Sequence, residues 1–208
     1  MKHWIQTSAM VLSLAVTAQV QATVITTGYE KSGTETTLVD DTSLQDAMVN
    51  GYTLDTIIAY AELTNSGDAT EAGWMDAVFD EMGISIGDYS IDKIEFASDS
   101  DVDNFWTQVD GTVYNAEVTF DPEYYLLKIG SGQLDAEHFL YENKGDLGDL
   151  TIDLKWLDQY SNFTGNNFDI YRISHVTSTM AVPEPSILML MGAGLIGFGI
   201  AQRKRVQG

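Results

Sequence analysis

Cysteine is absent from the 208-residue chain, which excludes disulfides, thiolate metal sites and cysteine nucleophiles, and leaves stability to packing. Proline occurs three times and histidine three times. Only His138 and His175 lie beyond the first 22 residues, each in or beside an expected strand, where a packed or hydrogen-bonded imidazole is the plain reading. Basic residues are the scarcest charged class: ten Lys and Arg stand against 31 Asp and Glu. Four of the ten (Lys2, Arg203, Lys204, Arg205) sit at the chain ends, so residues 23–182 hold six basic and thirty acidic residues, a net charge of −24. Such a segment lacks the cations that phosphate contacts need, which argues against DNA, RNA and anionic lipid as partners. Solubility is one consequence of this charge; capture of divalent cations or of a cationic polymer is the other. No Walker loop and no His-Glu-x-x-His occurs.

The two ends differ from the middle. Lys2 precedes an apolar run over 9–18, and Val20 and Ala22 place small residues at the −3 and −1 positions of a signal peptidase site. Residues 1–22 are therefore expected to be a signal peptide cut after Ala22; the apolar run is too short to span about 30 Å of hydrocarbon. At the other end, Pro183-Glu184-Pro185 is followed by an uncharged run over 187–201 with four glycines, and then by Arg203-Lys204-Arg205. The prolines bias the backbone toward an extended strand that a protease can read. The apolar run sits in the bilayer, and the basic cluster stays cytoplasmic under the positive-inside rule, so the proline motif faces outward. At ~1.5 Å per residue that helix rises only about 22 Å, suited to a transient hold in the inner membrane.

These three features, in this order at the C-terminus, resemble the PEP-CTERM sorting signal, over about the last 26 residues (183–208). The resemblance implies a Gram-negative host, an exosortase that recognises the tail, and an association with exopolysaccharide or biofilm matrix. Stretches 65–82 and 138–153 are also similar to central domains of other PEP-CTERM proteins; that likeness implies a fold and no activity.

Between the ends, residues 23–182 read as one acidic domain. Residues 54–63 are apolar enough for a buried strand, although Ala, Glu and Leu favour a helix over 56–62; the strand is the reading chosen. A helix is expected over 68–82, with Asp68 and Glu71 spaced as a capping box, Met75, Val78, Phe79 and Met82 at helical spacing, and Gly83 as the stop. Over 112–120 the period changes to two. Asp121-Pro122-Glu123 then supplies a turn, returning 124–129 as the hairpin partner. Further strands are expected over 137–141, 150–154 and 168–175. The fold class expected is mainly β, an antiparallel β-sandwich with one short amphipathic helix.

Asp99, Asp101 and Asp103 alternate along one segment, and alternate carboxylates in a loop can converge on calcium; Asn104 stands where such a loop prefers glycine. A solvated turn is the other reading of the same cluster. No other cofactor is indicated. Trp106 and Trp156 are the candidate exposed platforms for sugar rings, and Trp74 is assigned to the helix face. Two functions follow. One is a non-catalytic surface or matrix protein with exosortase, signal peptidase and exopolysaccharide as partners. The other is a carbohydrate-binding module or glycan-active enzyme delivered by the same route.

Overall fold

The computed structural model describes residues 21–40, 47–119, 121–130, 136–145, 148–161 and 168–181. In chain order the elements are β1 (Gln21–Ile25), β2 (Thr36–Asp40), β3 (Met48–Val49), β4 (Tyr52–Thr53), β5 (Thr56–Ala61), α1 (Asp68–Met82), β6 (Tyr89–Glu95), α2 (Asp99–Phe105) and β7 (Thr107–Asp110). Then come β8 (Val113–Glu117), β9 (Tyr124–Ile129), β10 (His138–Glu142), β11 (Asp149–Asp153), α3 (Leu154–Ser161), a 3₁₀ turn (Ile170–Arg172) and β12 (Ile173–Ala181). The chain is mainly β and every strand pair is antiparallel. Among the described residues the expectation of one helix is corrected to three.

A seven-stranded sheet runs β1-β2-β5-β10-β9-β12-β6, and a three-stranded sheet runs β11-β8-β7. The large sheet is covered on both faces, so its inner strand β9, Tyr-Tyr-Leu-Leu-Lys-Ile, between β10 and β12, is buried at all six positions. Tyr124 and Leu126 of β9 join Trp74, Met75, Val78 and Phe79 of α1 in one core. Tyr125, Leu127 and Ile129 join Leu150 and Ile152 of β11 and Leu157 of α3 in the other.

This two-sided burial overturns the expected hairpin between 112–120 and 124–129. β8 pairs with β11 and β7, whereas β9 pairs with β10 and β12. A strand apolar on both faces belongs inside a covered sheet, while β8, with Glu117 exposed, fits the smaller one. The segment holding Pro122 carries the chain between the sheets. The strand expected over 168–175 likewise starts later, at Ile173, because Asp169 accepts from the Tyr171 N–H and caps a 3₁₀ turn first.

α1 ends where expected, and Gly83 ends it in the left-handed conformation (φ 67°), its N–H bonding to the Asp80 carbonyl while Ile84 N–H bonds to that of Phe79. Its start is different. Gly67 is the N-cap and no side chain caps the helix. Asp68 pairs with Lys93 instead (2.9 Å), and Glu71 turns inward to the sheet, so the expected capping box is not formed. A capping box does occur at α2, between Ser98 and Asp101.

One buried carboxylate ties the sheets together. Asp55, just before β5, accepts from Thr151 N–H of β11 (2.7 Å), from the Tyr125 hydroxyl of β9 (2.7 Å) and from Lys144 N–H (3.0 Å). Burial pushes its carboxyl up to about 6, against these hydrogen bonds, which favour the charged form. Asp55→Ala leaves three donors, two of them buried, without an acceptor and is expected to cost about 3 kcal/mol or more in urea unfolding, with Asp55→Asn milder because one acceptor oxygen remains. A loss for Asp55→Ala below about 1 kcal/mol would contradict this linkage.

Candidate functional site

Polar residues gather beneath the first turn of α1, on the sheet face it covers. Glu71 projects from the helix and is fully buried. Its Oε1 accepts from His175 Nε2 of β12 at 2.8 Å, and its Oε2 accepts from the Thr177 hydroxyl at 2.7 Å and lies 3.0 Å from Lys93 Nζ of β6. Alternation explains the convergence: His175 and Thr177 are two apart on β12, so both point at the helix. Lys93 also bonds the Ser66 carbonyl (2.8 Å), so its three protons are all used. Burial pushes the Glu71 carboxyl up, but hydrogen bonds from His175, Thr177 and Lys93 outweigh it and hold the group below its ordinary range. Burial pulls Lys93 down, and Asp68 and Glu71 more than restore it, leaving it above its ordinary range.

His138 of β10 completes the group. Its Nε2 lies 3.2 Å from Ser66 Oγ and 3.9 Å from Glu71 Oε1, and its Nδ1 is buried without a partner. Burial, with the positive charges of Lys128, His175 and Lys93, pushes it down to about 2, so the ring is neutral. A bare buried acceptor costs less than a bare buried donor, which favours the tautomer with the proton on Nε2, toward Ser66. The cluster is built to hold helix to sheet.

The expected site residues are dispersed. Asp99, Asp101 and Asp103 lie on α2, not in a loop. Asp101 Oδ2 accepts from Ala97 N–H, Ser98 N–H and the Ser98 hydroxyl at 2.9–3.0 Å, and Asp103 accepts from the Tyr171 hydroxyl at 2.7 Å. Among the described residues no group of three or more His, Asp or Glu is placed to hold a metal ion. Ala22 is exposed, the second residue of β1, opposite Val39. Pro183, Glu184, Pro185, Arg203, Lys204 and Arg205, and the apolar run over 187–201, lie outside the described residues, as do residues 1–20. Among the described residues no helix is long and apolar enough to cross a membrane.

Trp106 is not a platform: it is 4% exposed and sits in the core beside Phe105. Trp156 is half-buried and stacked on Tyr160, with Lys155 Nζ 5.5 Å from its ring centre. Trp74 is fully buried on the helix face. One pattern passed over in the sequence is Gly83-Ile84-Ser85-Ile86-Gly87, which has nucleophile-elbow spacing. The structure places it after a helix and before a strand, the reverse of that motif's context, with Gly83 acting as a helix stop.

The open clefts lined by described residues include two that border strand ends. One, about 420 Å³, is lined by Asp88, Asp121, Glu123 and Glu142 near the C-terminal end of β12. The other, about 400 Å³, lies between the β7–β8 turn and α3.

The PEP-CTERM protein-sorting motif matches residues 181–205. Neither a search of curated proteins nor one of solved structures returns a match.

Because the folded pKa of Glu71 lies below its ordinary 4.5, its contribution to stability is complete above that value and is lost as pH falls through the folded pKa. Glu71→Ala strands His175 and Lys93 and is expected to cost about 3–5 kcal/mol near neutral pH. The gap between wild type and Glu71→Gln in urea midpoint should close on acidification below pH 4.5, and a gap constant with pH would contradict the assignment.

Proposed function

We infer, for a chain that carries an exosortase sorting signal, that its role is that of an exported, non-catalytic protein of the cell surface or extracellular matrix. The motif supports export, transient membrane anchoring and exosortase-dependent sorting. The observation that carries the reading is continuity: β12 is paired in the sheet as far as Ala181, and the sorting match begins at residue 181. A folded, strongly acidic domain thus ends where its delivery signal starts.

In this reading signal peptidase cuts after Ala22, leaving Thr23, Val24 and Ile25 to pair with Leu38, Thr37 and Thr36. The apolar run then holds the chain in the inner membrane of a Gram-negative cell while the exosortase engages Pro183-Glu184-Pro185. The net charge of −24 over 23–182 keeps the released domain soluble and away from anionic lipid. In this reading association with exopolysaccharide supplies its setting.

Replacing Pro183 and Glu184 together by Ala in the native host is expected to leave a longer precursor in the inner-membrane fraction and to deplete the extracellular form at least tenfold by immunoblot. Unchanged extracellular yield would overturn the sorting reading.

A further inference from the structure

The cleft between the β7–β8 turn and α3 has a chemistry of its own. Its apolar floor is Leu154 and Phe168, 4% and 7% exposed, and the half-buried ring of Tyr114 forms a wall. Around the opening stand Lys155, Asp158 and Asp169. Among the described residues, the Tyr114 hydroxyl, the Lys155 ammonium and the Asp158 carboxylate have no hydrogen-bond or ion-pair partner, though Lys155 and Asp158 share a helix at a spacing that permits one. One oxygen of Asp169 accepts from Tyr171 N–H (3.4 Å). The Tyr114 hydroxyl is held above its ordinary range by burial and by the carboxylates of Asp169 and Asp103, so it stays a donor.

Uncommitted donors and acceptors around an apolar, aromatic-walled hollow suit a ligand with a non-polar face and a hydroxylated edge. The size, about 400 Å³, lies within the usual span of small-ligand sites. Two carboxylates against one ammonium disfavour phosphates, nucleotides and uronates. We propose that this cleft between the β7–β8 turn and α3 binds the pyranose ring of a neutral saccharide, with Tyr114 and Phe168 against the ring and Asp158 and Lys155 on its hydroxyls. This deepens the matrix reading by giving the domain a ligand. It stands on the folded domain alone: a chain that is sorted yet binds no sugar overturns only the cleft, and sugar binding by an unsorted chain overturns only the sorting.

Saturation-transfer NMR on the full chain in detergent, with D-glucose, D-galactose, D-mannose, N-acetyl-D-glucosamine and D-glucuronate as probes, tests it. At least one neutral sugar is expected to bind with a dissociation constant of the order of millimolar, with glucuronate weaker. Asp158→Asn combined with Tyr114→Phe, which remove uncommitted groups and leave packing intact, is expected to reduce the signal at least fivefold, while Asp88→Asn in the other cleft leaves it unchanged. No transfer to any neutral sugar, glucuronate binding as strongly as the best neutral sugar, or equal transfer in the double variant and wild type would each overturn the site.

Discussion

A carboxylate with no access to water sets the layout of this domain. Glu71 enters the core on the first turn of α1, and such a group is tolerated only where donors surround it. Here they come from separate strands: Lys93 of β6, His175 and Thr177 of β12. The helix is thereby fixed in rotation as well as position, since Trp74, Met75, Val78 and Phe79 reach the apolar part of the sheet only when Glu71 meets its partners. Apolar contact alone would allow the helix to slide, whereas three directed bonds do not. On the opposite face Asp55 plays the corresponding part between the sheets.

β12 connects this architecture to delivery. It lies between β9 and β6, is paired to β6 from His175 to Ala181, and carries two of the Glu71 donors. The segment matched by the sorting motif begins at its last residue. Tail and fold therefore meet without a spacer, and the strand next to the sorting signal is one of the most heavily bonded in the domain. The cleft near the same end of β12 is lined by Asp88, Asp121, Glu123 and Glu142, which adds to the repulsion between this acidic domain and any anionic surface.

Several features were legible in the sequence because they depend on local patterns. Gly83 marks a helix end through its left-handed backbone. The apolar register of α1 and the strands β5, β10 and β11 follow from spacing and burial alone. What was not legible depends on distant partners. Glu71 has capping-box spacing from Asp68, and only the presence of His175 and Thr177 more than a hundred residues away decides that it turns inward. β8 and β9 look like a hairpin because a turn separates them; that β9 is buried on both faces shows in the four consecutive apolar residues Tyr124 to Leu127, which was the available signal. Alternate aspartates on 99–103 read as a loop, but Ser98 and Asp101 cap a helix, for which acidic residues in the first turn are favourable. The saccharide cleft draws Tyr114, Lys155, Asp158 and Phe168 from separate segments and has no linear signature.

In the function inferred above, a folded acidic domain is carried out of the cell and parted from its membrane tail beside β12. Intact-mass spectrometry of the extracellular protein tests it most directly. The expected species begins at Thr23 and ends between residues 182 and 186, free of the Arg203-Lys204-Arg205 terminus. An extracellular species that keeps those three cations, or a soluble cytoplasmic species starting at Met1 as the main product, would contradict it.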